Sequence, residues 1–377
     1  MPYKPPGFFR RIFIAIERFL KWILFSVVHL VIHSRRMEKI TLEECKAILV
    51  VRQHNQIGDL LCATPLLRAL RAAYPEAHIT VLLRPLTAEV LRGTDFIDEI
   101  LVFDKQAYWR NPGRVFGFLR SLWKRKYDLV LVPVTVSLST TSDFLAWLSR
   151  SRVRIGPASL NGIRNLTHYM HNIRLPLDWR DDPLAHQTER NLAIVKPLSL
   201  DRASRELVLS LTAEEIEKGR KLVVGAAADH SMIIGFHPGA AKTDNTWDAL
   251  RFAELANRCA EILDAFLLIT AGPHDDLPLH EMTINVPNDK LVLKNYPLRE
   301  VAAAIRCCAV FVTNDTGIMH LAAAVKTPTL SLFGPTDPAQ WAPPGDRHRF
   351  IVGKNGEINT ITVDKAWEAI NKMLRAA

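Results

Sequence analysis

The stretch from 310 to 338 constrains the fold of this chain more than any other part of the sequence. An apolar run, 310–312, is followed by the polar turn Asn-Asp-Thr-Gly and by a helix predicted from Ile318. A second apolar run, 329–333, ends in the turn Gly-Pro-Thr-Asp. Two such turns at the carboxyl ends of neighbouring parallel strands are typical of α/β ligand sites, where free N–H groups at helix starts suit a phosphate. The stretch therefore predicts a phosphate-bearing ligand, a nucleotide by preference, in the C-terminal half.

Short apolar runs alternate with helical stretches from Lys46 onwards, as parallel βαβ units require. The first series begins with a strand at 47–52 and a helix at 60–73, and it reaches a short strand that begins at Val153. Residues 156–205 follow as a loop-rich connection, and connections of that length are often functional.

The C-terminal half repeats this alternation after a helix and a hinge. Thr212, with Glu215 three residues later, predicts a capping box at the start of the helix, and the segment 225–230 is the predicted hinge. Strands and helices then alternate over 232–333. The last predicted helix, 363–375, could pack on either half.

Two α/β series joined by one hinge predict two Rossmann-like domains that face each other across a ligand cleft. A length of 377 residues also favours two domains. The expected limits are 46–226 for the first domain and 231–377 for the second. Residues 1–40 form a separate N-terminal segment.

The net charge of +9 is distributed unevenly. Residues 1–40 contain eight Lys or Arg against two Glu, a balance of +6, so the other 337 residues together carry +3. A body so close to neutral excludes a strongly basic nucleic-acid binder. A basic terminus on such a body indicates an anionic surface as its partner.

Residues 8–33 place charged and polar side chains on one half of a helical wheel and apolar side chains on the other. This pattern is typical of an amphipathic helix lying in a membrane interface. The longest uncharged run, 22–34, has 13 residues, whereas a helix that spans a bilayer needs about 20. We expect an interfacial anchor that faces the cytosol. The alternatives are a short or tilted span and a helix buried against the protein or an oligomer partner.

Several common sites have no signature in the sequence. The five cysteines form no CxxC pair, so buried free thiols in a reducing cytosol are expected. Neither a GxxxxGK[ST] motif nor a GxGxxG after a strand is present, which weakens the NTPase and dinucleotide hypotheses. The chain lacks a Cys/His cluster at metal spacing and an Asp-x-Asp pair for the divalent ion of a sugar nucleotide. A metal-free mechanism is therefore expected.

Gly58-Asp59 lies just after the first strand, at the start of the helix that contains Thr64-Pro65. Asp59 could be only a helix N-cap or a partner of the helix dipole. The functional alternative makes it a carboxylate at the domain cleft that takes a proton from an incoming hydroxyl. Gly58 would allow the backbone or a ligand to approach closely.

Two further turns follow predicted strands of the C-terminal half. The turn His237-Pro-Gly239, with Lys242 nearby, suits a diphosphate, although a plain turn has the same composition. The turn Gly272-Pro-His274-Asp275 offers acidic groups of the kind that commonly bind ribose hydroxyls. A solvated turn is the alternative there.

Together these motifs resemble glycosyltransferase family 9, the family of ADP-heptose:lipopolysaccharide heptosyltransferases. The resemblance rests on 52–65, on the His237 turn with Trp247 and the helix after it, and on Asn314-Asp-Thr-Gly with Gly334-Pro-Thr-Asp-Pro. It covers roughly residues 46–350. It implies a GT-B fold, an inverting and metal-independent transfer, and an acceptor on the lipopolysaccharide core at the cytoplasmic face of the membrane.

The resemblance also implies a role for each matching residue. Asp59 matches the proposed general base, and the co-substrate would be ADP-heptose or a similar nucleotide sugar, with no cofactor. Helix N-termini, a Lys and a His would stabilise the leaving ADP in place of a metal. The residues that match the donor side are Gly239, Lys242, Asn245, His274, Asp275, Asp315, Thr316, Gly317 and His320. Those that match the acceptor side are Arg52, His54 and Gly58.

The chain departs from the family pattern at the donor site. Family members usually place a Lys two residues before the motif Trp247, where this chain has Asn245, and Lys242 is the nearest substitute. At the usual acidic position of the ribose loop, His274 is the closest match and Asp275 follows it. These departures concern the identity of the donor more than the fold.

Other functions remain open on the sequence alone. A transferase that uses another ADP- or UDP-sugar is the nearest, and a sugar-nucleotide 2-epimerase would leave the N-terminal segment unexplained. A non-catalytic relative could instead act as a scaffold or binding module in envelope glycan assembly. Asp59 together with Asp315 and His320 favours an active enzyme, whereas Asn245 keeps the scaffold hypothesis open. The oligomeric state is not predicted.

Overall fold

The computed structural model describes residues 32, 34–37, 44–53, 56–227, 230 and 232–376. Apart from Ile32, the predicted amphipathic segment 8–33 lies outside the described residues, as do 228 and 229 of the predicted hinge. Within the described ranges, no helix is long and apolar enough to cross a membrane. The short piece 34–37 is bound to the first half, where the Ser34 amide donates to the carbonyl oxygen of Tyr169 at 3.0 Å.

The first half forms a seven-stranded sheet in the order β3-β2-β1-β4-β5-β6, with β7 also paired to β5. All pairs are parallel except β5 with β6. The strands are β1 (Ala47–Val51), β2 (His78–Leu83), β3 (Glu99–Val102), β4 (Leu129–Leu131), β5 (Val153–Leu160), β6 (Ile163–Arg164) and β7 (Ile173–Leu177). The helices are α1 (Ile57–Leu61), α2 (Thr64–Ala73), α3 (Pro85–Ala88), α4 (Lys105–Arg110), α5 (Arg114–Trp123), α6 (Thr140–Leu148) and α7 (Gln187–Leu192). β1 is buried along its whole length because helices cover both faces of the sheet.

The second half forms a six-stranded parallel sheet in the order β10-β9-β8-β11-β12-β13. Its strands are β8 (Met232–His237), β9 (Ala265–Ala271), β10 (Lys290–Lys294), β11 (Val310–Asn314), β12 (Thr329–Phe333) and β13 (His348–Val352). Its helices are α8 (Ala213–Ala226), α9 (Ala249–Leu263), α10 (Asp276–Thr283), α11 (Leu298–Ile305), α12 (Gly317–Ala324), α13 (Pro338–Trp341) and α14 (Val363–Arg375). Two Rossmann-like halves in contact are the GT-B arrangement that the sequence predicted.

Two helices whose position the sequence left open or placed elsewhere pack against the second half. α14 buries Ala366, Ile370 and Met373 in the core of the second sheet. α8 begins with the predicted capping box of Thr212 and Glu215. It packs on α11 of the second half although the expected limits place it in the first domain, and those limits stay a prediction.

The predicted helix at 60–73 is confirmed over Thr64–Ala73, but its start is wrong because the chain forms a separate helix before it. α1 ends at Leu61 and α2 begins at Thr64. Pro65 has no N–H to donate to the carbonyl oxygen of Leu61, and the Thr64 hydroxyl donates to that oxygen instead, at 2.7 Å. Asp59 therefore lies inside a short helix of its own. The connection 156–205 also contains more regular structure than expected, with β6, β7 and α7.

Candidate functional site

A cavity of about 1180 Å³ lies between the two halves. It opens at the carboxyl ends of β8, β9 and β11, where the strand order of the second sheet changes direction. Nucleotides bind at this switch point in doubly wound α/β folds. The first half contributes Ile57, Pro85, Leu86 and Glu89 to the wall.

The start of α12 forms one side of this cavity. Thr316 precedes the helix in an extended conformation, with φ −155° and ψ 170°, and its side chain caps none of the helix N–H groups. Thr316, Gly317 and Ile318 all line the cavity. Uncapped N–H groups and the positive end of the helix dipole suit a phosphate at this wall.

Asp315, just before Thr316, is held by two side chains from other turns. The Asn245 amide donates to Oδ2 of Asp315 at 3.0 Å and to the hydroxyl of Thr336 at 3.2 Å. Burial raises the pKa of Asp315, while a hydrogen bond from Thr336 and the charge of Lys242 oppose the rise. Lys242 is exposed. Asn245 thus fills the expected lysine position with an amide, and Lys242 supplies the nearby positive charge.

Asp275 joins two turns at the cavity wall. Its Oδ2 accepts a hydrogen bond from the Gly272 amide at 2.7 Å and lies 3.5 Å from Nε2 of His237. A β-carbon on Gly239 would lie 2.1 Å from Cγ of Asp275. Only glycine allows this packing, so the close approach of Asp275 explains why residue 239 is a glycine. Burial lowers the pKa of His237, so its imidazole is neutral at neutral pH.

Asp59 is 6% exposed and lies in the first turn of α1. Its Oδ1 has no hydrogen-bond partner among the described residues. The Arg52 guanidinium donates to the backbone oxygen of Asp59 at 3.1 Å and to that of Pro133 at 3.4 Å. Burial raises the pKa of Asp59, and the charge of Arg52 opposes the rise. Such an unsatisfied carboxylate in a low dielectric has the character of a general base.

α1 and α12 touch through glycines and a histidine. A β-carbon on Gly317 would lie 3.6 Å from the Gly58 nitrogen. His320 is 3% exposed, and its Nδ1 lies 3.7 Å from Sγ of Cys62. Burial, with a smaller contribution from His186, lowers the pKa of His320 to about 3. His320 is therefore a neutral hydrogen-bonding group rather than a cation at neutral pH.

The predicted site residues lie in three places. Gly239, Lys242, Asn245 and Asp315 are in the turns after β8 and β11 and are not among the residues that line the cavity. His274, Asp275, Thr316 and Gly317 line the cavity, whereas Asp59 and His320 lie at the α1–α12 contact beside it. His54 lies outside the described residues. The sequence prediction missed Thr336, which binds Asn245, although the turn that contains Thr336 was recognised. It also missed the first-half wall, because no local pattern marks those residues.

A family model described as glycosyltransferase family 9 (heptosyltransferase) matches residues 115–368, more than half of the chain. The chain belongs to glycosyltransferase family 9. It is a glycosyltransferase, and the predicted family and enzyme class are confirmed. The matched residues include the donor-side turns but not Asp59.

Two similar proteins match this chain over most of their length. A putative glycosyltransferase of Haemophilus influenzae is 24% identical over 350 residues, which cover 87% of this chain and 96% of the relative. Lipopolysaccharide heptosyltransferase 3 of Escherichia coli K12 is 27% identical over 303 residues, which cover 76% of this chain and 82% of the relative. Alignments of this length extend through both halves.

Solved structures confirm the GT-B fold. A glycosyltransferase family 9 protein from Veillonella parvula superposes with a TM-score of 0.78 at 21% identity, covering 90% of this chain and all of that one. ADP-heptose lps heptosyltransferase II of E. coli has a TM-score of 0.71 at 21% identity, covering 88% of this chain and 99% of that one.

Proposed function

We propose that this glycosyltransferase moves a heptose, or a similar sugar, from an ADP-sugar to a lipopolysaccharide core or a related glycolipid. The lipopolysaccharide heptosyltransferase among its relatives and the ADP-heptose enzyme among the similar structures support this donor and acceptor. The observation that carries the proposal is the position of Asp59. A buried carboxylate, one oxygen of which has no partner among the described residues, lies beside the helix start that lines the nucleotide-sized cavity.

In the proposed reaction, Asp59 takes the proton of the acceptor hydroxyl as its oxygen attacks the anomeric carbon of the donor sugar. The new carbon–oxygen bond forms on the face opposite the diphosphate. The bond between the anomeric carbon and the diphosphate breaks at the same time, and its electron pair leaves with ADP. The configuration at the anomeric carbon is inverted. The N–H groups at the start of α12 and the charge of Lys242 stabilise the negative charge that develops on the diphosphate. No metal is part of the proposed step.

The acceptor can reach Asp59 only if the contact between α1 and α12 widens. Asp59 is 6% exposed and is absent from the cavity wall, whereas a general base must come within hydrogen-bond reach of the hydroxyl. Because one helix belongs to each half, a relative movement of the halves would open this contact. We therefore propose that acceptor binding involves such an opening.

We further propose that the enzyme is peripheral to the cytoplasmic face of the inner membrane, through residues 8–33. The amphipathic pattern of that segment supports this location. The binding of residues 34–37 to the first half would tie the segment to the acceptor domain.

Incubation with ADP-heptose and a truncated lipopolysaccharide tests the proposal, with wild type compared with Asp59→Asn. We expect transfer by the wild type and a large loss in the variant. Equal turnover by both proteins would refute the assigned base. Asn245 favours a second candidate, a different nucleotide sugar as donor. A panel of ADP- and UDP-sugars separates the two, and failure to bind any of them would favour the scaffold hypothesis.

A further inference from the structure

Positive charge is concentrated in one short part of the folded body. Residues 105–126 contain seven Lys or Arg and no Asp or Glu, a balance of +7. Since the chain carries +9 and residues 1–40 account for +6, the remaining 315 residues carry −4. Outside residues 1–40 the chain is therefore slightly acidic apart from this basic region, which consists of α4, α5 and the turns beside them.

The basic side chains of this region point outwards and are unpaired. Six of the seven are exposed, and none forms an ion pair with a carboxylate in the part of the chain that the structure describes. They are Lys105, Arg110, Arg114, Arg120, Lys124, Arg125 and Lys126, of which Arg125 is half-buried. Among the described residues no carboxylate pairs with these charges, so an anionic partner would gain from each of them.

Aromatic side chains stand among these charges. Phe116 is 78% exposed and Trp123 is 40% exposed. The opposite side of α5 buries Phe118 and Leu122 against the first sheet, and the Phe118 ring lies 5.0 Å from that of Phe103. The helix is thus firmly anchored, and it presents its outer side chains on a fixed surface.

The exposed aromatic surface continues onto α6. The indole nitrogen of Trp123 donates to the carbonyl oxygen of Leu148 at 2.8 Å, and the Arg150 guanidinium lies 4.1 Å from the Trp123 ring. On α6, Phe144 is 42% exposed and stacks on Trp147 at 5.8 Å. Aromatic rings among Lys and Arg are typical of surfaces that sit in the headgroup layer of a membrane.

We propose that this surface, the outer side of α4 and α5 continued by Phe144 of α6, docks onto an anionic phospholipid bilayer. It would act in addition to residues 8–33 and independently of the transfer reaction. The basic side chains would bind lipid phosphates and Phe116 would enter the interface.

The attachment of the N-terminal segment favours a bilayer over other polyanions. Residues 34–37 follow the amphipathic segment 8–33 in the sequence, and they bind at Tyr169 and Asn172, beside β7 of the same half. Next to Phe144, Asp143 of α6 bonds His171 and Thr167 in that same stretch of chain. Residues 34–37 and the basic surface therefore belong to the same half.

Vesicle binding by the full chain tests this proposal. The variant Arg120→Glu/Lys124→Glu/Lys126→Glu reverses three exposed charges of the surface. The matched control Lys354→Glu/Lys365→Glu/Lys372→Glu reverses three exposed charges at the other end of the chain, with the same change from +9 to +3. A Lys or Arg near an anionic membrane raises the affinity about fivefold. We expect affinity for phosphatidylglycerol-containing vesicles to fall about tenfold or more relative to the control variant.

Phe116→Ser tests the apolar contribution without changing charge, and Leu277→Ser, at a residue that is 67% exposed on α10, is its control. We expect only Phe116→Ser to lower vesicle affinity, by about fivefold for a ring that enters the interface. Both substituted residues are exposed, so thermal melts of all variants should match the wild type. Vesicle affinity of the triple surface variant equal to that of its control would overturn the proposal. It would also be overturned if that variant lost binding to an RNA duplex but kept its vesicle affinity.

Discussion

A β-carbon on Gly58 would lie 2.7 Å from Cδ2 of His320, closer than carbon atoms can pack. The halves of the enzyme meet at these two residues, since Gly58 is the second residue of α1 and His320 lies in α12. The absence of a side chain at 58 therefore sets how closely Asp59 can lie to the helix start at the cavity.

Gly58→Ala should push α1 away from α12. His320 is buried and its ring has little space to move, so we expect a loss of about 1–3 kcal/mol in the free energy of unfolding and a marked loss of transfer activity. Chemical denaturation and steady-state kinetics measure the two effects. Gly225→Ala is the control, because a β-carbon there meets nothing within 4 Å. That substitution should preserve activity and add about 1 kcal/mol of helix stability. Equal behaviour of both variants would contradict the close-contact argument.

Asp59→Asn keeps the size of the side chain and removes its basicity. We expect kcat to fall about 10²- to 10⁴-fold, the usual contribution of a general base. Donor affinity should be unchanged, because Asp59 is absent from the cavity wall. Calorimetric binding of ADP together with turnover measurements separates these outcomes. A weaker ADP affinity with little change in kcat would show that Asp59 serves the donor site instead.

The pH profile should report the environment of Asp59. A general base works only when deprotonated, so kcat/KM should fall as pH drops through the pKa of Asp59. Burial raises that pKa above its ordinary value of 3.8, and Arg52 opposes the rise. The acidic limb should therefore lie above pH 3.8, and Arg52→Gln should move it to higher pH. A limb that Arg52→Gln leaves in place would exclude Asp59 as its source.

The sequence predicted most strands of both sheets and the turns at their ends because those signals are local. It did not predict β6, β7 or β13. Apolar runs and the Gly, Pro and Asn of the turns lie within a few residues of one another. The contact of Cys62 with His320 joins residues 258 positions apart, and no local pattern contains it. For the same reason, the buried state of Asp59 could not be predicted.

The basic surface was missed for a different reason. Its seven basic residues are visible in the sequence. The net charge, however, was counted over all 337 residues after residue 40, where an excess of acidic residues elsewhere offsets them. The structure separates the two because it shows which of these side chains are exposed on one pair of helices. Charge counted by structural element would have revealed it.

Lys242 should supply the positive charge that Asn245 lacks. Its charge already acts on Asp315, and an anionic diphosphate at the start of α12 would gain from it. We expect Lys242→Ala to weaken ADP-sugar binding about tenfold, which corresponds to about 1.4 kcal/mol. Lys365→Ala, at an exposed lysine of α14, is the control for net charge. An unchanged affinity of Lys242→Ala for the ADP-sugar would show that Lys242 does not bind the diphosphate and that the helix N–H groups bind it alone.

Arg299 connects the two halves away from the site. It is 5% exposed on α11, and it donates to the carbonyl oxygens of Glu89 at 3.1 Å and Ser210 at 2.7 Å, and to the carboxylate of Glu215. The hydrogen bonds from Arg299 are the largest cause that lowers the pKa of Glu215 to about 2. The Arg299 guanidinium thus connects the first half, the segment before α8 that contains Ser210, and α8 itself.

Arg299→Ala should lower the free energy of unfolding by about 2–3 kcal/mol. This loss is smaller than for breaking a fully buried ion pair, because Glu215 is partly exposed. A depressed carboxyl pKa stabilises the fold above the unfolded value of 4.5, and this contribution is lost as pH falls towards about 2. The wild type should therefore lose stability in that window more steeply than Arg299→Ala. Denaturation at several pH values measures the difference. Arg258→Ala, which removes two ion pairs at the surface, with Glu254 and with Asp364, should cost less than Arg299→Ala, about 1 kcal/mol. Parallel pH curves for wild type and Arg299→Ala would show that Arg299 does not control the charge of Glu215.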